Sequence, residues 1–201
     1  MRYSADRKKE TRAAIIQAAS KVFKEIGFQS GSIDKVMDKA GLTAGGFYAH
    51  FPSKDQLFAE TLSKAFTDAE AMLESGLDDS DDAAWMNNFL RRYMSRAHRK
   101  EILRGCAIPP LVSEVSRANQ PAKQALENYF RSWRSKIKSK LASKQENSQR
   151  DATALIAMCL GAMSLARAVS DETLADEILE DCFQFSREAL GDIPDSSSNA
   201  R

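Results

Sequence analysis

A chain of 201 residues, 43% of them apolar, can bury a sizeable core as one ordinary domain or as a small domain joined to a larger one. A formal net charge of +1 excludes a polycation, yet residues 1–56 carry 10 Lys+Arg against 6 Asp+Glu and the remainder carries 19 against 22. The basic first quarter suits an anionic partner. Three widely spaced cysteines, Cys106, Cys159 and Cys182, with no Cys-x-x-Cys pair, argue against a disulfide framework and for a reducing cytoplasm.

The N-terminus "MRYSADRKKETR" lacks the apolar core of a secretory signal. A first helix is expected from Asp6 to Ile26, with Ala14, Ile15, Ala18, Val22 and Ile26 as its stripe and Gly27 as its stop. A short helix follows from Ile33 to Ala40, with Ser32 as N-cap and Gly41 as a left-handed stop. Thr43 then caps a third, very short helix that Pro52 ends. Ser53 to Gln56 has the S-x-x-Q form of a capping box and opens a fourth helix to Leu73. "ESGLDDSDD" reads as a solvated linker.

Ala83 to Lys100 reads as one helix, and Pro109, Pro110 and Pro121 as punctuation. Gln120 to Ser143 is a long helix with Phe130, Trp133, Ile137 and Leu141 on its stripe. Its basic run "RSWRSKIKSKLASK" reads as a solvated flank, with an anionic ligand or DNA as the alternative partner. Asp151 to Ser170 is nearly all apolar. Its uncharged stretch of 15 residues would span about 22 Å, too short for the roughly 30 Å of a bilayer core. Leu174 to Leu190 is the last helix, and the tail "GDIPDSSSNAR" is expected to be disordered. No period-two strand stands out. The fold class is all-α: a compact N-terminal three-helix bundle at 1–52, then a larger helical domain at 53–191. Residues 53–75 form the connecting helix of that domain, and 192–201 form the tail.

The stretch "AGLTAGGFYAHFPSKDQL" carries the functional argument. Two short helices joined around Gly41, behind a basic amphipathic helix, make a helix-turn-helix unit. The second helix of such a unit presents its N-terminal residues to base edges in the major groove. Ala44, Gly45 and Gly46 would form that first turn and let the backbone approach DNA. Phe47 and Phe51 would bury. Tyr48 and His50 can donate to phosphates, and the N-terminus of the fourth helix beside Lys54 is a second phosphate site.

From "TRAAIIQAASKVFKEIGFQSGSIDKVMDKAGLTAGGFYAHFPSKDQLFAETL", with its Gly27-Phe28, Ala40-Gly41, Phe47-Tyr48, His50-Phe51 and Lys54, the chain resembles the TetR/AcrR family of bacterial transcriptional regulators. The resemblance is detailed over residues 7 to 65. Farther on, "RGCAIPPLVSEV" and "GAMSLARAVSDETLADEIL" resemble one of its subgroups. It implies a homodimer with one helix-turn-helix per subunit on a double-stranded operator. It also implies a C-terminal domain for a small-molecule effector, which usually releases a repressor. Its DNA-contact positions fall on Ser32, Thr43, Ala44, Gly45, Gly46, Tyr48, Ala49, His50 and Lys54. No long polar side chain opens the recognition helix, so methyl contacts and DNA shape suit base readout better than bidentate hydrogen bonds.

Met86, Phe89, Tyr93, Cys106, Tyr129 and Trp133 are candidates for an effector pocket, and the same residues read equally as core. Cys106, near Arg104, reads either as an oxidant or electrophile sensor or as a small residue on a pocket wall. Cys159 and Cys182, on apolar helix faces, read as core. The last two helices suit a four-helix dimer interface carrying Ala154, Met158, Gly161, Ala162, Leu165, Ile178, Cys182 and Phe185. With two histidines, no G-x-S-x-G and no H-E-x-x-H, no catalytic residue, metal or cofactor is expected, nor a membrane partner. A helical module that binds a ligand or protein without DNA is the alternative of another class.

Overall fold

The computed structural model describes residues 5–77, 81–101, 108–141 and 147–191, and no strand occurs among them. The chain forms two compact units, Met1–Asp68 with Cys106–Tyr129, and Ala69–Gly105 with Phe130–Arg201. The first unit therefore extends beyond residues 1–52. The expected tail and Cys106 lie outside the described residues.

In the first unit α1 spans Ala5–Ser30, α2 Ile33–Lys39, and a 3-10 helix Ala44–Ala49. The start of α3 (Lys54–Glu74), α6 (Ile108–Arg117) and the start of α7 (Gln120–Leu141) complete it. Gly27 breaks α1 at φ 78°, ψ 164°, and one more turn follows to Ser30. The buried stripe of α1 is Ile15, Ala18, Ala19, Val22 and Phe23, whereas Ala14 and Ile26 of the expected stripe face solvent. Phe23, Phe28 and Phe58 pack as one aromatic cluster, with centroids 4.2–5.6 Å apart.

The expected α6 region was read only as proline punctuation. Pro109 and Pro110 instead occupy the first turn of a helix, where the missing N–H groups would have no intrahelical partner. α6 then reaches α1 through Glu114, whose carboxylate accepts the Phe28 N–H just after the kink.

In the second unit the expected helix from Ala83 to Lys100 is two helices, α4 (Asp82–Tyr93) and α5 (Arg96–Lys100). Ser95 makes the break, because its hydroxyl accepts the His98 N–H at 3.1 Å and restarts the helix. α8 (Ser148–Ala168) packs against α9 (Glu172–Ala189) through Leu155, Cys159, Ala162, Met163 and Ala166 on one side and Ala175, Leu179 and Phe183 on the other. By length and composition α8 could cross a membrane, and 39% of its apolar window is buried in the chain.

The basic run of α7 is more than a solvated flank. Lys136 binds Glu70 at 2.5 Å and Glu74 at 2.6 Å, and Lys140 binds Asp82 at 2.9 Å. Burial pulls the Lys136 ammonium down, but the two carboxylates outweigh it and hold the group above its ordinary value. Arg92 caps the end of α3 by donating to the Leu73 and Ser75 carbonyls, each at 2.8 Å.

His98 is 4% exposed, and its Nδ1–H donates to the Tyr93 carbonyl at 2.7 Å. Burial lowers its pKa, the Tyr93 carbonyl opposes this, and Arg167 adds to the lowering. The unfolded chain therefore takes up this proton near the ordinary 6.5, while the folded chain waits for a lower pH. Stability is expected to fall as pH drops below 6.5, with a limiting slope of about 1.4 kcal/mol per pH unit. Urea melts between pH 7.5 and 5.5 check this, and the slope should be shallower in His98→Gln.

Candidate nucleic-acid interface

The geometry around the 3-10 helix begins with two local stops. Ser32 Oγ accepts the Lys35 N–H at 3.3 Å and starts α2. Gly41, at φ 70°, ends it, with Leu42 N–H donating to the Met37 carbonyl and Gly41 N–H to the Asp38 carbonyl, each at 2.9 Å. Thr43 stands at the next N-cap position without a side-chain cap bond. Phe47 and Phe51, both fully buried, pin the short helix from below with centroids 5.8 Å apart. Arg12 of α1 lies 4.5 Å over the Phe51 ring and pairs with Glu60.

What remains outward is small or single. Thr43, Ala44, Gly45 and Ala49 are exposed, Gly46 and His50 half-buried, and Tyr48 is 68% exposed. A Cβ at Gly45 would meet nothing of the chain within 4 Å, and one at Gly46 only the Met37 methyl at 3.8 Å. Neither glycine is required by packing or by positive φ. Tyr48 leans edge-on against Phe47, at 5.1 Å, with its hydroxyl end free to reach outward.

Next in sequence, Ser53 Oγ accepts the Gln56 N–H at 3.1 Å, which is half of the expected capping box. The Gln56 side chain turns instead to Glu60, at 3.0 Å. Lys54 Nζ donates to the Gln29 carbonyl at 3.3 Å and sits 4.3 Å over the Phe28 ring. Burial lowers its pKa, and Asp55 and Glu114 partly restore it.

Sequence reading missed a cleft of about 510 Å³ beside Lys54, which includes Arg117 and Asn119. It also missed a second cleft of about 480 Å³ where Arg7, Lys8 and Thr11 of α1 meet Thr43, Gly46, Ala49 and His50. The basic opening of α1 was the only sequence signal for the latter.

The other expected sites divide. Met86, Phe89, Tyr93 and Trp133 form a buried aromatic core in the second unit, with Phe89 6.2 Å and Tyr93 5.9 Å from the Trp133 ring. Tyr129 is not part of that core: it belongs to the first unit and stacks on Phe66 at 4.4 Å. Asn87, on α4, is 1% exposed, and its Oδ1 has no hydrogen-bond partner among the described residues.

On α8 the expected interface residues Ala154, Gly161 and Leu165 face outward, Leu165 at 58% exposure, and Met158 is half-buried. Ile178 and Cys182 of α9 are half-buried and Phe185 is 59% exposed. Ala162 departs from the expectation. It lies on the inner stripe between Cys159 and Ala166 and is 3% exposed within its own chain.

A basic helix, a two-helix turn closed by Gly41, and a short recognition element stripped of bulk define a helix-turn-helix protein. Residues 15–61 match the profile "Bacterial regulatory proteins, tetR family". Residues 83–180 match "Transcriptional regulator LmrA/YxaF-like, C-terminal domain". The chain is 22% identical over 169 residues to the HTH-type transcriptional regulator LmrA of Bacillus subtilis, covering 82% of this chain and 90% of that one. It is 37% identical over 71 residues to the HTH-type transcriptional repressor BepR of Brucella suis, covering 35% and 34%. Its fold matches a TetR transcriptional regulator from Chloroflexus aurantiacus with a TM-score of 0.78 at 24% identity, over 92% of this chain and 96% of the other. The chain belongs to the TetR family of helix-turn-helix transcriptional regulators.

Proposed function

We propose that the protein is a cytoplasmic, ligand-responsive repressor that binds a palindromic operator as a homodimer and leaves it when a small effector binds the second unit. The observation that carries the DNA reading is the bare outer surface at Ala44, Gly45 and Gly46 beside the exposed Tyr48. An interior glycine costs a helix roughly 1 kcal/mol against alanine, and here no neighbour asks for one. Close approach of bases and phosphates accounts for both. Ser32, Thr43, Ala49, His50 and Lys54 frame that surface. Lys54 keeps ammonium protons for a phosphate beyond the one it gives Gln29.

The dimer reading is supported by an apolar stripe left open on α8 and α9, with Leu165, Leu174 and Phe185 between 43% and 59% exposed. Covered by a second copy, this stripe forms a four-helix bundle, and the two-fold axis sets two recognition helices about 34–36 Å apart. Such cover also suits α8 to water rather than lipid. For the effector we assign Met86, Phe89 and Tyr93 of α4 and Trp133 of α7 as apolar walls, with the Asn87 amide as a polar handle. An effector acts here only through a different affinity for the DNA-competent and incompetent states.

Fluorescence anisotropy with duplexes tiling the DNA that flanks the protein's own gene tests the reading. Tyr48→Phe should weaken binding about fivefold on every tile that binds, because it removes a phosphate donor and no base contact. Lys54→Ala should reduce the salt slope by about one. Wild-type affinity on the tiles no higher than on unrelated DNA, or two variants indistinguishable from wild type across salt, would overturn the docking.

A further inference from the structure

The cleft between the start of α1 and the 3-10 helix has a chemistry of its own. Lys8 and Arg7 stand on one wall with Thr11, His50 on the other, and Met37 and Leu42 supply apolar floor. No carboxylate lines it among the described residues. Lys8 has no ion-pair or hydrogen-bond partner among the described residues, and neither has the buried His50 Nδ1.

We propose that this cleft seats a phosphodiester of the bound DNA between Lys8 and His50, and that seating it draws one proton from solvent onto the His50 imidazole. The proposal rests on the DNA-binding reading and extends it to contacts from α1 and to a proton linkage. A deoxyribose phosphate offers an anionic oxygen pair to the ammonium and imidazole, and an apolar sugar edge to Met37 and Leu42.

The charged groups that face His50 explain the linkage. From α1 these are Arg7, Lys8 and Arg12, and Arg12 is already engaged by Glu60 of α3. Of α2, only Met37 lines the cleft. Burial, then Lys8, then Arg12 hold the free imidazole below its ordinary 6.5, so it is neutral at pH 7. A phosphate oxygen beside it outweighs these effects by supplying a counter-charge and a hydrogen-bond acceptor. The bound form therefore titrates higher than the free form, and affinity rises as pH falls from the bound value to the free one.

The test uses the full chain and a fluorescent duplex of random sequence, about 24 base pairs long, because a phosphate contact is independent of sequence. Wild type should bind about three- to tenfold more tightly at pH 6 than at pH 7.5 in low salt. His50→Asn should bind with no such pH dependence. Lys8→Ala, an exposed position, should lower the salt slope by about one.

NMR keeps the result independent of the variants. The chain has two histidines, and buried His98 is an internal control. The His50 ring should titrate below 6.5 in the free protein and move upward on adding duplex, with His98 unmoved. Inorganic phosphate at matched ionic strength should leave it in place. Failure of wild type to bind any duplex sinks the DNA-binding reading itself. Binding that is pH-independent, a His50→Asn variant that keeps the pH slope, or free phosphate that shifts His50 as far as duplex does, overturns the cleft proposal alone.

Discussion

Leu165→Arg is expected to split the proposed dimer of 22.3 kDa chains into folded monomers, and to weaken operator binding about 10²- to 10⁴-fold. The side chain is 58% exposed on its own chain, so the substitution asks nothing of subunit packing. In the proposed dimer the same position is covered, and an arginine there would be buried without a partner. The loss of affinity follows from geometry. Two recognition helices on one rigid body bind the second half-site at high effective concentration, and a monomer has only one. Sedimentation at operator-binding concentration measures the first effect and anisotropy the second. Helical circular dichroism should be unchanged. A variant that still sediments as a dimer rules out this face. Arginine at Ala162, by contrast, would strike the inner stripe of α8 and report on folding.

Gly27→Ala is expected to lower stability by about 3 kcal/mol, out of a typical 5–15, without touching any proposed DNA contact. Two effects add. At φ 78°, ψ 164° the backbone occupies a region essentially reserved for glycine, which costs an L-residue about 1–3 kcal/mol. A Cβ there would also collide with Glu114 Oε1. The carboxylate must withdraw, and the Phe28 N–H loses a charge-assisted bond of about 1.5–3 kcal/mol. Urea denaturation measures the total. Glu114→Gln separates the parts, since an amide oxygen can still accept the N–H while the charge is gone. If Gly27→Ala melts with wild type, α6 does not hold the α1 kink.

The features legible beforehand are those decided by a few adjacent residues. Ser32 as a cap, Gly41 as a stop and Ser53 as the opening of α3 each follow from one side chain and its nearest backbone N–H groups. The phase of a stripe is harder. α1 turns Ala19 and Phe23 inward in place of Ala14 and Ile26, because apolar residues occupy neighbouring positions on the helix surface and only the partner chooses among them. The same ambiguity misplaced Ala162 on a helix apolar nearly all round. α6 escaped notice because proline marks a helix start as readily as a break. The joining of Lys8 to His50, and of Phe28 to Glu114, depends on chain segments far apart in sequence that no local pattern connects.

The empty space over Gly45 has a consequence for how such a protein changes over generations. A Cβ at that position meets nothing of its own chain within 4 Å, so packing does not oppose one. On the proposed docking, selection acts on it through the DNA sequence. Phe47 and Phe51, sealed beneath, are held by the opposite pressure, since any change in their volume is felt by the packing. Address and scaffold are thus carried by neighbouring residues of one short stretch, the 3-10 helix Ala44–Ala49 and the Phe51 that follows it. A descendant can acquire a new set of target genes by single substitutions on the outer row while its architecture stays as it is.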